Sequence, residues 1–172
     1  MNRLIFFVIV LFVSALAYGQ GTSNRVITDP KLGIEVCLGF WEADSLEVSS
    51  LFASYFQMEK NYEKGDKKKI KKLSKLLKNK EVVIVFGSWC SDSQREVPRM
   101  IALLRAAKFS FKKMKLIGVD RAKTAEEIDL TLYKIQYVPT LIVYENGKEL
   151  GRIVEAPSST LLDDLLIILS QK

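Results

Sequence analysis

The stretch Val82-Val83-Ile84-Val85-Phe86-Gly87-Ser88-Trp89-Cys90-Ser91-Asp92-Ser93 decides the fold of this chain. Its first five residues are an unbroken run of β-branched and aromatic side chains, the pattern of a short strand buried on both faces. Gly87 breaks the run and opens a polar loop. From Ser93 to Lys108 the apolar positions Val97, Met100, Ile101 and Leu104 recur at helical spacing, so a buried strand turns directly into an amphipathic helix with Cys90 at the turn.

Working toward the C-terminus, residues 115–119 read as a second buried strand ending at Asp120. Residues 124–135 read as a helix, with Thr124 as N-cap and Glu126 and Glu127 in its first turn. Residues 140–144 and 148–154 read as two strands joined at Asn146-Gly147, a strong hairpin signal. A last helix over 159–170 turns Leu161, Leu162, Leu165 and Leu169 inward. The order strand, helix, strand, helix, hairpin, helix predicts a three-layer α/β/α sandwich with a mixed central sheet. Its first strands are parallel through right-handed crossovers, and the hairpin forms an antiparallel edge.

Working toward the N-terminus, residues 46–62 read as a helix with Leu51, Tyr55 and Met58 on one face, and 31–41 as a strand. Residues 21–30 are polar and rich in turn formers. The net charge of +6 has a single source, because residues 60–80 hold ten lysines against Glu63 and Asp66. Ile70, Leu73, Leu76 and Leu77 form one face of a helix there, which Asp66 can cap. The lysines therefore read as the solvated face of that helix. No aromatic residues interleave with them, and no nucleic acid is expected as a partner.

Residues 4–17 run apolar apart from Ser14, after a weakly basic start, and end at Ala17-Tyr18-Gly19-Gln20. That is shorter than the roughly 20 residues that span a bilayer, and small residues stand where a signal peptidase reads. Residues 1–19 read as a signal peptide, which implies export, most simply to a periplasm, with no stable span after cleavage. Retention of the segment as a membrane anchor is the alternative.

The chain has no histidine, which excludes Cys-His and Ser-His catalytic pairs and histidine-bound metals. Two cysteines, Cys37 and Cys90, are too few for a thiolate zinc site, so neither a metal nor another cofactor is expected. Cys90 lies where a strand gives way to a helix, so unpaired N–H groups and the positive end of the helix dipole favour negative charge on its sulfur. Cys37, in an apolar run, reads either as buried packing or as a thiol that resolves a mixed disulfide on Cys90.

Phe86-Gly87-Ser88-Trp89-Cys90-Ser91-Asp92-Ser93 resembles the aromatic-x-x-Trp-Cys-x-x-Cys loop of the thioredoxin-like superfamily, with Ser93 in place of the second cysteine. Pro98 stands where that superfamily kinks its active-site helix. Val138-Pro139-Thr140 resembles its cis-proline loop, and Asn146-Gly147 its hairpin. The resemblance covers residues 66–172 and leaves 20–65 as an N-terminal extension of a strand and a helix. It is nearest to bacterial exported thioredoxin family proteins, here with a single-cysteine Cys-x-x-Ser motif.

The resemblance implies that Cys90 is the nucleophile, in an active-site loop of Trp89, Ser91, Asp92 and Ser93, with Val138, Pro139 and Thr140 facing substrate. Three positions depart from the family. Ser93 removes the resolving thiol, Ile84 stands where many members carry a buried acid, and Glu155 stands where many have glycine. The implied activity is that of a monothiol redox protein. Its partners would be proteins with thiols or disulfides, or glutathione, and an external thiol reductant. The alternative is a redox-silent module that holds extended or unfolded peptides, in the manner of a chaperone, at the Val138-Pro139 edge.

Overall fold

A computed structural model describes residues 24–31, 33–62, 65–126 and 128–171. The expected signal segment and Glu127 lie outside the described residues. Two short strands open the fold: β1 (Arg25–Thr28) and β2 (Glu35–Trp41), antiparallel, with Val26 opposite Cys37. β1 falls within a stretch read as turn-rich. Its four residues, Arg-Val-Ile-Thr, are strand formers that gain their partner only through β2.

The expected helix over 46–62 is broken into α1 (Ala43–Glu47), α2 (Ala53–Met58) and a 3₁₀ turn, Glu59–Asn61. Ser49 Oγ donates to the Leu46 carbonyl at 2.8 Å, a local bond that competes with helix continuation. The break lets Phe52 drop into the core, edge-on to Phe86 at 5.4 Å between ring centroids. Met58, expected on the inner face, is 73% exposed.

α3 (Lys67–Leu76) starts at Asp66, whose carboxylate accepts from the N–H groups of Lys68 and Lys69, and it buries Leu73. β3 (Glu81–Phe86), α4 (Ser91–Ala106) and β4 (Met114–Gly118) form a parallel crossover unit, with Ile84 opposite Leu116. β5 (Thr140–Glu145) and β6 (Lys148–Val154) form the hairpin. Asn146 and Gly147 both take positive φ, 50° and 76°, as its tight turn requires. α5 (Leu161–Ser170) closes the chain, capped by the Thr160 hydroxyl.

Among the described residues six strands lie in the order β1-β2-β4-β3-β5-β6, and only β3 and β4 are parallel. This is the thioredoxin fold, a mixed sheet flanked by helices. Strand alternation sends Val82, Ile84 and Phe86 to one face, where α3, α4 and α5 cover them with Leu73, Met100, Leu104 and Leu165. Trp41, Leu46 and Phe52 join that core, so residues upstream of 66 share both sheet and core with those downstream.

Val83 and Val85 face the other way, with Leu38, Ile117, Val138 and Ile142. The chain over this second face is not the helix predicted for 124–135. It is an irregular run with one 3₁₀ turn, Thr131–Tyr133. The Asp120 carboxylate accepts from both the N–H and the hydroxyl of Thr124, and Asp129 accepts from both groups of Thr131. These side chain–backbone bonds displace the helical ladder.

Candidate functional site

Cys90 sits at the N-cap of α4 with extended backbone angles (φ −98°, ψ 123°). Its N–H donates to the Gly87 carbonyl at 2.9 Å, and its own carbonyl accepts from Gln94 N–H at 3.0 Å. The first-turn N–H groups of α4 therefore point past the Cys90 side chain, as at any helix start. The thiol is partly exposed and donates to the Val138 carbonyl at 3.2 Å. The Val138–Pro139 peptide bond is cis. Val138, Pro139 and Thr140 are buried, and Thr140 Oγ1 donates to the Tyr137 carbonyl at 2.7 Å. Pro139 O accepts from Glu155 N–H at 2.7 Å, with Glu155 at φ 60°. Cys90 and the Val138-Pro139 loop are thus brought together, although 48 residues separate Cys90 from Val138.

The rest of the loop is held by its own polar groups. Ser93 is fully buried, and its hydroxyl accepts from Gly87 N–H at 3.2 Å. Ser88 Oγ accepts from Cys37 N–H at 2.9 Å, and its carbonyl accepts from Gln94 Nε2 at 2.7 Å. Trp89 donates through Nε1 to the Val119 carbonyl at 3.0 Å and lies flat across Gly87. A Cβ on Gly87 would stand 2.6 Å from the indole, so any other residue there would force the ring to shift. The Arg121 guanidinium stacks on the same ring, 5.0 Å from its centroid. Ser91 is exposed at the first position of α4. Asp92, one residue on, pairs with Arg95 at 2.8 Å.

Cys37 is separated from this chemistry. Its side chain packs in the core with Ile84 and Phe86, whereas Cys90 borders the second core with Val85 and Val138. Burial pushes the Cys37 thiol up to about 12, against a small downward pull from the Ser88 hydroxyl. At neutral pH it is a protonated, inaccessible group, unsuited to the resolving role left open by the sequence.

One buried acid escaped the sequence reading. Glu96 is 2% exposed on α4. Its Oε1 accepts from Arg95 Nε at 2.7 Å and Arg99 Nη1 at 3.1 Å, while Oε2 has no hydrogen-bond partner. Arg99 also pairs with Glu59 at 2.7 Å and stacks on Tyr62. The signal was a carboxylate three residues after Ser93 and four before Met100, on the inward stripe of the helix. Ile84, at the position of the family's buried acid, is fully buried among apolar side chains. Among the described residues, no three Cys, Asp or Glu side chains converge to hold a metal ion.

Solved structures resemble the chain at the level of fold. A Pseudomonas aeruginosa protein of unknown function is 14% identical, with TM-score 0.48, over 70% of this chain and 80% of its own. Fasciola hepatica thioredoxin is 26% identical, with TM-score 0.34, over 49% of this chain and 77% of its own. Mitochondrial thioredoxin 3 of Saccharomyces cerevisiae is 18% identical, with TM-score 0.33, over 49% of this chain and 76% of its own. No curated protein matches. The Thioredoxin family model matches residues 63–167, which takes in Cys90, the loop that holds it and the proline loop it touches, and the chain belongs to that family.

Proposed function

We propose that this protein is a monothiol redox protein that acts on disulfides or mixed disulfides through Cys90. The observation that carries the reading is the placement of an accessible sulfur at the start of α4, 3.2 Å from the Val138 carbonyl, with a buried serine in place of a second thiol. The Cys90 thiolate attacks one sulfur of a substrate disulfide. A new S–S bond forms to that sulfur, and the other leaves as a thiolate. Ser93 cannot complete a second exchange. An external thiol, either low-molecular-weight or protein-borne, then attacks the mixed disulfide, frees the Cys90 thiolate and carries away the substrate sulfur in a new disulfide.

The proline loop supports the substrate side of this scheme. Once deprotonated, Cys90 no longer donates to the Val138 carbonyl, and an incoming backbone N–H can take its place. Export is part of the proposal, because residues 4–17 and the small residues before Gln20 fit a cleaved leader. The deciding experiment is capture of mixed disulfides in cells. Wild-type protein should yield adducts that reductant removes and that Cys90→Ser lacks. If the wild type yields no adducts and Cys90 resists alkylation at neutral pH, the redox reading is overturned in favour of peptide holding.

A further inference from the structure

We propose that the pole of the fold opposite Cys90 is a docking surface for an anionic phospholipid bilayer. β3 and β4 begin at this pole, at Glu81 and Met114, and Cys90 follows the far end of β3. Two adjoining grooves share Ser74 and Lys108 here. Lys67 and Lys71 of α3 line one groove, and Lys78 and Lys113 line the other. Lys112 borders the next depression along the sheet end.

The charge of this band is not spent within the fold. Among the described residues Lys69 is neutralised by Asp163 and Lys80 by Glu145, whereas Lys67, Lys71, Lys78, Lys108, Lys112 and Lys113 form no ion pair. Lys113 Nζ reaches only the Lys78 carbonyl, at 3.3 Å, which leaves its charge intact. The acids around the band are largely engaged: Glu145 holds Lys80, Asp44 and Glu47 hold Arg105, and Glu149 holds Arg152, while Glu81 borders the band.

Nor does the band serve the thiol. The six residues of β3 span roughly 20 Å, about twice the screening length at physiological salt. The chemistry of the band favours a bilayer over a nucleic acid. Its grooves are lined by lysine, and the arginine beside them, Arg105, stacks on Phe111 and is paired with Asp44 and Glu47, so the free charge is carried by point-like ammonium groups rather than guanidinium forks. Phe109 and Phe111, its nearest aromatics, pack against the core instead of standing free to stack bases. Docked this way, the protein presents Cys90 and Pro139 away from the membrane.

Cosedimentation of the protein, in the form that cells producing the full chain yield, tests the proposal. The probes are vesicles of phosphatidylcholine alone and vesicles that also contain phosphatidylglycerol. Binding is expected to the second and to weaken steeply as salt rises. Replacing Lys71, Lys108 and Lys112 by glutamine should lower the partition coefficient about a hundredfold, or about fivefold per lysine. Arginine at the same three positions should preserve binding, and so should glutamine at Lys31 and Lys123 on the Cys90 side. Equal binding to neutral vesicles overturns the proposal. So does equal loss from the Lys31 and Lys123 variant, or tighter binding to single-stranded RNA than to anionic vesicles at the same salt.

Discussion

Ser93 and Gly87 are joined across the active-site loop: the hydroxyl of the first accepts the N–H of the second at 3.2 Å, in a fully buried setting. The residue that replaces a resolving cysteine therefore holds the loop together. Ser93→Ala leaves the buried N–H without an acceptor and should cost about 1–3 kcal/mol in denaturant unfolding. Ser93→Cys gives a weaker acceptor but sets a thiol one helical turn from Cys90. It should add dithiol activity, read as faster insulin reduction with dithiothreitol than the wild type shows. Equal rates would show that the loop does not bring the two side chains together.

The two cysteines should separate cleanly toward iodoacetamide. Cys90 is partly exposed, and Cys37 is fully buried with its thiol pushed up to about 12. Native protein at neutral pH should take one label, lost in Cys90→Ser. A second label should appear only on unfolding.

Cys37 also sets a pH slope. Its folded value, about 12, lies above its unfolded value near 9, so between these limits the unfolded state has lost a proton that the native state keeps. The stability this group contributes is complete below pH 9 and declines through that window, by up to about 1.4 kcal/mol per pH unit. Cys37→Ala should lower stability at neutral pH and flatten the alkaline slope, as chemical denaturation at a series of pH values would show.

Gly87→Ala places a methyl group within van der Waals overlap of the Trp89 indole, 2.6 Å from its nearest atom. The ring must move, which breaks its bond to Val119 and its stack with Arg121. A loss of about 1–3 kcal/mol is expected, with a shift in tryptophan emission toward that of a solvated indole.

Glu96→Ala removes the carboxylate that Arg95 and Arg99 share. Each arginine keeps a second acid, Asp92 or Glu59, so the cost should fall at about 2–3 kcal/mol, near the lower end for a broken buried pair. Glu96→Gln, which keeps the shape, should lose less. Equal losses in the two variants would show that the charge itself decides the stability.

Features written in neighbouring residues could be read from the chain. The run Val82–Phe86, the Asn146-Gly147 turn and the Asp66 cap each carry their own physics within a few positions. The loop of Cys90 and the proline it meets were legible as a resemblance, because their order and spacing agree together. What could not be read depends on partners far along the chain or on local side-chain bonds that outcompete a helix. Arg25–Thr28 is a strand only because Glu35–Trp41 runs beside it. The break before Phe52 combines the local Ser49–Leu46 bond with the edge-on contact of Phe52 to Phe86, 34 positions away. Residues 124–135 carry a helix-like start, yet two aspartates capture the threonines that would have opened and continued it.

That capture has a consequence for how the molecule opens. Among the described residues of 121–137 the backbone bonds are short-range ties such as Ile128 to Ala125 and Tyr133 to Leu130, without the ladder that protects a helix or a central strand. Amide protons there should exchange with solvent through local openings, at rates far above those of β3 and β5, while the sheet stays intact. The segment ends at Val138, the carbonyl that holds the Cys90 thiol. The side of the site that yields first is therefore the proline-loop side, next to the Cys90 thiol.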